Sequence, residues 1–437
     1  MFFDKDIETM KRNDIEKMQL ERLKFLVDYC YNNVEFYNKK LSKAGITSGD
    51  KIKTLSDIKY IPFTTKEDLR DNYPFSLLAR PMKDIVRIHA SSGTTGKPTV
   101  GVYTKNDLDN WASQVARICV AGGVTDEDII QISFGYGLFT GALGLHYGLE
   151  KIGATVIPAS SGNTEKQLMM IRDFGVTGLV ATPSYAIYLS EKIREDNISL
   201  SEYNKLRLGI LGSEGCSEEM RNIIEKNMNI FVSDNYGMTE LSGPGVAGEC
   251  KLRTGLHFNE DAYLPEIIDS ETGEVKEKGE VGELVVTTLI REGVPVLRYR
   301  TRDITKLNYE PCQCGRTGVR MDKIMGRTDD MLIIKGVNVF PSQIAQVLEN
   351  FGEISPHYQL VLTRDNFLDK LEVKVELTDA SLLVHFGKLE KLTHNIREKL
   401  KSVLGLDTKV RLVEPKSLER FQGKAKRILD LRNEGEK

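Results

Sequence analysis

Six cysteines in 437 residues are too few to staple a fold of this length, so a disulfide scaffold is excluded. Cys30, Cys119 and Cys216 stand alone, while Cys250, Cys312 and Cys314 fall late in the chain. An excess of one charge is lacking as well. Sixty Lys and Arg against 63 Asp and Glu leave a formal net charge of -3, and no global field draws the chain to nucleic acid or to an anionic membrane. No uninterrupted apolar run is long enough to span a bilayer. The opening MFFDKDIETMKRND has no apolar core of signal-peptide size, so a cytoplasmic protein with no membrane partner is expected. Internal repeats and low-complexity tracts are missing too.

What is present is length and alternation. At 437 residues one hydrophobic core stops growing, and at least two domains are expected. The first 80 or so residues carry apolar positions at a rough helical period, among them Ile15, Met18, Leu23 and Leu26. Short apolar runs at 129–133, 154–158, 178–181 and 208–211 then alternate with helix-like stretches at 165–174 and 184–195. Buried strands alternating with helices point to a largely parallel sheet. Near residue 250 the texture changes to strands separated by turns, at 267–269, 282–288 and 296–299. The fold class expected is α/β. A large N-terminal domain, 1–326, has mostly parallel sheets flanked by helices and an adjoining β-rich subdomain. A small mobile C-terminal α+β domain, 327–437, follows.

One loop asks for phosphate. Ser91, Ser92, Gly93, Thr94, Thr95, Gly96 and Lys97 precede Pro98. A Walker A loop needs four residues between its glycines and a helix after its lysine. Here the glycines are too close, and 99–103 reads as a strand, as does 84–89. A strand–loop–strand would hold phosphate by loop amides, hydroxyls and the Lys97 charge. A plain polar hairpin loop has much the same composition.

Other segments extend this one. Asn235-Tyr236-Gly237-Met238-Thr239-Glu240, Tyr299-Arg300-Thr301-Arg302-Asp303, Gly326-Arg327-Thr328-Asp329-Asp330 and Gln422-Gly423-Lys424 occur in that order. With the loop, these five motifs resemble those of the adenylate-forming enzymes, the acyl-CoA synthetase superfamily, over nearly the whole chain. Arg302 stands where the third motif of the family has glycine. The segments 134–141, 181–185 and 242–250 resemble the branch that activates phenylacetate-like aryl acids, although 160–164 departs from its pattern.

The resemblance implies a two-step reaction. A carboxylate attacks the α-phosphorus of ATP, releasing pyrophosphate, and coenzyme A thiolate then displaces AMP from the acyl-adenylate. Both steps gather negative charge. The resemblance assigns Mg²⁺ to Glu240 and the first-step cation to Lys424. It assigns the adenine slot to Ser213, Glu214 and Gly215 with Asn235 and Tyr236, and nucleotide contacts to Gly237, Met238 and Thr239. Asp303 takes the ribose hydroxyls with Arg327 assisting, and Asp329 is the hinge. Tyr136, Phe139, Gly141, Ala186 and Gly237 would line the acid pocket, since a planar apolar acid needs a concave apolar site. His146 reads as a packed histidine. The partners are small molecules, namely aryl acid, ATP and coenzyme A, and a homodimer stays open.

Cys250, His257, Cys312 and Cys314 offer three sulfurs and one imidazole. That set matches a closed, structural zinc site, and Cys312-x-Cys314 after Pro311 resembles a zinc knuckle. Three buried free thiols are the alternative. Two rival functions follow from the same residues. One is transfer of the adenylated acid to a carrier-protein thiol, although no carrier domain is present. The other is a zinc-ribbon module for nucleic acid, against which stand Glu260, Asp261, Glu266, Asp269 and Glu271.

Overall fold

The computed structural model describes residues 1–91, 98–195, 205–329, 332–334, 337–365, 368–420 and 427–432. Ser92, Gly93, Thr94, Thr95, Gly96, Lys97 and Lys424 therefore lie outside the described residues. Among the described residues, no helix is long and apolar enough to cross a membrane. Two compact units emerge: Met1–Cys216 with Ile223–Lys323, and Ser217–Asn222 with Ile324–Lys437.

Near the start of the first unit, after the short helix Lys5–Glu8, the helix Arg12–Asn33 buries Ile15, Gln19, Leu23, Leu26, Val27 and Cys30 along one stripe. Strands β1 (Ile85–Ala90) and β2 (Val100–Thr104) pair antiparallel, Ala90 opposite Val100. Residues 92–97 are thus flanked by a strand on each side. Thr104 then starts the helix Lys105–Gly122: its hydroxyl accepts from the Asp107 amide, and the Asp107 carboxylate accepts from the Thr104 amide.

The main sheet follows. Strands β3 (Ile129–Ile132), β4 (Thr155–Ile157), β5 (Gly178–Ala181), β6 (Leu208–Gly212) and β7 (Phe231–Met238) are parallel, in the order β7-β6-β5-β3-β4. Strands β8 (Gly243–Glu249) and β9 (Leu256–Phe258) extend the sheet antiparallel beyond β7. Strands β10 (Tyr263–Ile268), β11 (Gly282–Thr288) and β12 (Tyr299–Thr305) form a separate antiparallel array, the expected β-rich part. The chain then returns to the main sheet as β13 (Leu307–Asn308) and β14 (Arg320–Met321), the latter beside β9.

Two departures from expectation have physical causes. The strand expected at 296–299 begins only at Tyr299, because Arg298 takes φ 44° and turns the chain. Strand β8 is fully buried although its sequence, GPGVAGE, has only Val246 as a strand former. A Cβ on Gly245 would lie 2.8 Å from Val115 Cγ2, and one on Gly248 would lie 2.6 Å from Ile118 Cβ. The strand is glycine-rich because the helix Lys105–Gly122 lies directly on it.

In the second unit, Ile354–Asp365 and Leu368–Leu377 pair antiparallel at the centre of a four-stranded sheet. Lys409–Val413 and Ile428–Asp430 add parallel on either edge. Ile344 and Val347 of the helix Pro341–Leu348, and Ile396 and Leu400 of Phe386–Leu404, share one core with Leu360, Leu362, Val373 and Val375. This is the small α+β body read from the sequence.

Candidate active site

In open parallel sheets, ligands bind outside the carboxyl ends of the strands, where strand order reverses. Here order reverses at β3, flanked by β5 on one side and β4 on the other. The residues that follow β3, β5, β6 and β7 are the loop 133–140, Thr182-Pro183, Ser213-Glu214-Gly215 and Thr239-Glu240. Four segments singled out from the sequence therefore leave the same edge of one sheet.

The base of the phosphate loop is tied down. The Ser91 amide donates to the Thr99 carbonyl, and the Thr99 amide donates back to the Ser91 hydroxyl, each at 2.9 Å. The Ala90 amide donates to the Leu138 carbonyl at 2.9 Å, and the His89 imidazole Nδ1 lies 3.1 Å from the same oxygen. So the loop after β3 is stitched to the strand that opens the phosphate loop. His89 is 1% exposed, and burial lowers its pKa. With Nδ1 donating to a carbonyl, it is a neutral, structural histidine.

The residues expected to hold the nucleotide lie on and just after β6, β7 and β12. Ser213 sits at φ 75°, turning the chain sharply off β6. Glu214 Oε1 accepts from the Ser184 amide at 2.7 Å, at the start of the helix Pro183–Glu195. The Asn235 carboxamide donates to the Leu211 carbonyl at 2.6 Å, passing over Gly212, where a Cβ would come within 2.6 Å of it. Gly215 is exposed, with open space around it. Gly237 has no room for any side chain: a Cβ would lie 2.0 Å from the Gly243 carbonyl oxygen. Met238 closes β7, buried Thr239 starts the short turn to β8, and the Glu240 carbonyl accepts from Arg291 Nη1 at 2.7 Å.

The Tyr236 hydroxyl donates to Asp303 Oδ2 at 2.6 Å, joining two motifs 67 residues apart. Local distortion of β12 makes this contact. Between Glu283 and Val285 of β11, the partner on β12 jumps from Ile304 to Arg300. Such bulges re-aim side chains beside functional sites. Within the bulge Arg302 takes φ 69°. The glycine of the family motif has been replaced, but the backbone still adopts the left-handed form that glycine favours.

Tyr136, Phe139 and Gly141 lie in or beside the loop after β3. Tyr136 is half-buried against the core of the main sheet, and burial raises its hydroxyl well above the ordinary phenol range. Phe139 is exposed, and Gly141 begins the helix Gly141–Ile152 with the Phe139 ring alongside. Ala186 is different: it is fully enclosed in the helix Pro183–Glu195, as is Tyr185, so its methyl packs the core and presents no surface to a ligand. His146, read as packed, does stack edge-on against Tyr136, and it is also hydrogen-bonded on both ring nitrogens, to Tyr136 and to Glu150. The sequence carried a signal for this in the His146–Glu150 spacing of four on one helix face.

In the second unit, Arg327 and Asp329 form a two-pronged ion pair at 2.8 and 3.0 Å, only two residues apart. Both sit where the chain enters this unit.

The Cys/His set comes together. One ligand atom from each of Cys250, His257, Cys312 and Cys314 lies within 4.8 Å of every other. The Cys250 and Cys312 sulfurs are 3.9 Å apart, and Cys314 Sγ is 3.5 Å from His257 Nε2. Zinc–sulfur bonds of about 2.3 Å at tetrahedral angles put two sulfurs about 3.8 Å apart, so the cage has the size zinc requires. The pKa of Cys250 is raised and that of Cys314 is lowered, chiefly through their mutual hydrogen bond. His257 Nδ1 is buried, with no partner among the described residues, and His257 lines a cavity of about 40 Å³ with Glu260 and Asp261. A zinc-bound histidine ordinarily donates its second nitrogen to a carboxylate or water. The acids of this region serve internal arginines rather than solvent: Glu260 pairs with Arg12, Asp261 with Arg117 and Glu266 with Arg298. Sequence reading did not anticipate these pairs.

Strands β1 and β2 on either side of residues 92–97, their tie to the loop after β3, and the Tyr236–Asp303 contact together mark a class. The chain belongs to the AMP-binding, adenylate-forming enzyme family: the family of AMP-binding enzymes matches residues 18–289, and the C-terminal domain of such enzymes matches 336–432. Within the family it is similar to the phenylacetate-coenzyme A ligase of Escherichia coli, 48% identical over 98% of this chain and 97% of that protein. That of Thermus thermophilus is 45% identical over 99% of this chain and 100% of its own length. Among solved structures, 2-hydroxyisobutyryl-CoA ligase in the postadenylation state superposes with a TM-score of 0.89 at 27% identity, covering 97% of this chain and 91% of that one.

Proposed function

We infer that the protein is an ATP-dependent phenylacetate–coenzyme A ligase. It joins phenylacetate, or a close aryl analogue, to coenzyme A through an acyl-adenylate, releasing pyrophosphate and AMP. The observation that carries this reading is identity of 44–48% to four phenylacetate-coenzyme A ligases over nearly the whole chain.

In the first step a carboxylate oxygen forms a bond to the α-phosphorus as the bond to pyrophosphate breaks. Ser91 to Lys97 cradle the departing phosphates, and Lys424 neutralises charge at the α-phosphate. Asp303 holds the ribose with Arg327 assisting, while Ser213, Glu214, Gly215, Asn235 and Tyr236 form the adenine slot. The rigid contact of Tyr236 with Asp303 orients a ribose acceptor in advance, which lowers the ordering cost of binding. In the second step a carbon–sulfur bond forms at the carbonyl and AMP leaves. Asp329 is the hinge between the two steps. Magnesium supplies positive charge to the phosphates when bound, and Glu240 is the carboxylate offered to it. Cys250, His257, Cys312 and Cys314 would hold a structural zinc, whose role would be to tie the two β segments together rather than to take part in the reaction.

The test is a panel of acids read by coenzyme A consumption. Arylacetates should be turned over well ahead of acetate and long-chain fatty acids. Acetate working as well as phenylacetate at equal concentration would refute the assignment.

A further inference from the structure

Three groups on the loop after β3 and the helix behind it form a continuous hydrogen-bonded chain. The Tyr136 hydroxyl lies 3.1 Å from His146 Nδ1, and His146 Nε2 lies 3.0 Å from Glu150 Oε1. The His146 side chain is 20% exposed and that of Glu150 is 53% exposed, so the chain runs from half-buried Tyr136 outward to solvent.

The direction of each bond is set by its outer end. A carboxylate can only accept, so Nε2 carries the proton shared with Glu150. In the neutral ring Nδ1 is then an acceptor, and the tautomer is fixed by the partner on the other nitrogen. With the ring neutral, Tyr136 donates its only proton to His146. Its oxygen is left with lone pairs and no proton to offer. Burial that disfavours the phenolate keeps the hydroxyl protonated in this arrangement.

The placement of Tyr136 turns this into a statement about substrate. Its loop is bonded through Leu138 to the strand that opens the phosphate loop. It meets the turn after β7 where the Thr140 and Thr239 hydroxyls stand 3.5 Å apart. It meets the loop after β4 where the Tyr136 amide faces the Ser160 hydroxyl at 3.5 Å. Tyr136 thus sits amid the segments that leave the ligand-binding edge of the sheet.

We propose that Glu150 and His146 are positioning residues that fix Tyr136 as a hydrogen-bond acceptor, so that among ring-substituted phenylacetates the acid site favours a ring donor over a ring acceptor. The proposal rests on the aryl-acid reading given above. A hydroxyl on the substrate ring donates to the Tyr136 oxygen. A fluorine at the same position, similar in size, brings only acceptor character against those lone pairs. A ring acceptor facing those lone pairs finds no donor and is disfavoured relative to a ring hydroxyl at the same position.

The test measures kcat/KM for 3- and 4-hydroxyphenylacetate against 3- and 4-fluorophenylacetate, with phenylacetate as the parent. In the wild-type enzyme the hydroxy acid should exceed its fluoro counterpart by about 10-fold or more at one ring position, mostly through KM. Tyr136→Phe should bring that ratio to near one. His146→Ala should collapse it as well, because Tyr136 keeps its hydroxyl but is free to turn and donate. In the double variant, His146→Ala should add nothing to Tyr136→Phe. Glu150→Gln offers a milder perturbation at an exposed position: an amide can donate to Nε2 and permit the other tautomer, so the ratio should fall again. Turnover of phenylacetate with a hydroxy-to-fluoro ratio near one in the wild type overturns the selectivity while leaving the ligase reading intact. A ratio that survives in His146→Ala overturns the relay. Turnover of no aryl acid at all overturns both readings.

Discussion

Arg302 offers a direct measurement of what a motif glycine is worth. The residue sits at φ 69° inside the bulge that aims Asp303 at Tyr236. A residue with a Cβ in that region costs about 1–2 kcal/mol relative to ordinary backbone. Glycine removes the cost but returns about 0.5–1 kcal/mol through the freedom it gains in the unfolded chain. The Arg302 side chain reaches Glu283 at 4.0 Å while 29% exposed, and Glu283 keeps its shorter bonds to Arg300. That outer pair is worth at most about 0.5 kcal/mol. Comparing Arg302→Gly with Arg302→Ala cancels it, since both lose the guanidinium and only alanine retains the strain. The glycine variant should be the more stable of the two by about 0.5–1 kcal/mol. For a unit of this size that is about 2 °C or less in melting temperature, so chemical denaturation by circular dichroism is the better assay. Adenylation activity of the glycine variant should match that of the wild type, because the aim of Asp303 comes from the bulge. An alanine variant as stable as the glycine variant refutes the argument, and with it the claim that this backbone is held against a side chain's preference.

Metal analysis should give about one zinc per chain, and Cys312→Ser should lose it and lower thermal stability; a structural zinc can carry on the order of 10 kcal/mol of folding free energy, less in a body with its own core. Metal-free protein of undiminished stability would count against the site. Lys424→Ala should slow pyrophosphate release on the order of 10²-fold while leaving thioester formation from synthetic acyl-adenylate near normal. Asp329→Pro should do the reverse by locking φ at the hinge, and equal damage to both half-reactions in Lys424→Ala would sink the two-orientation mechanism. Buried Glu376 accepts from Arg420 at 2.8 and 2.7 Å and from the Lys416 and Leu418 amides; although burial pushes its carboxyl up, these donors hold it below the usual range. Its contribution is therefore present above the unfolded carboxylate value and lost as pH falls through the lower folded one, so stability should drop below about pH 4. In Glu376→Gln that part of the pH dependence should flatten, and an unchanged pH profile would refute it.

Much of this protein was legible without coordinates, for reasons of local physics. The spacing of Gly93 and Gly96, with Pro98 after Lys97, excluded a Walker loop, and β1 and β2 do flank that loop as strands. Apolar runs alternating with helical segments foretold the parallel strands β3 to β6, since strands covered by helices are mostly apolar; β5 and β6 are buried throughout, whereas β4 lies at the edge and is partly exposed. Motif order placed the chain in its family, because loop chemistry at a strand end depends on a few adjacent residues. The Cys/His set could be named because ligand chemistry is a property of residue type.

What the sequence could not decide is whatever depends on contacts between distant segments. GPGVAGE does not read as a buried central strand, and only the helix pressed against it explains its glycines. Arg302 looked like a lost motif residue until its backbone angle showed the glycine conformation retained. The sequence offered Cys250 and Cys312 without a distance between them; the return of β14 to the edge of β9 brings the two halves together. Glu260, Asp261 and Glu266 were unassigned acids until packing set each against an arginine. Tyr136, His146 and Glu150 belong to one loop and one helix, yet only the folded arrangement puts the Tyr136 hydroxyl and the Glu150 carboxylate on opposite nitrogens of the same ring. Periodicity, turn chemistry and ligand type are written in neighbouring residues, whereas register, close approach and hydrogen-bond direction are set only when the chain packs on itself.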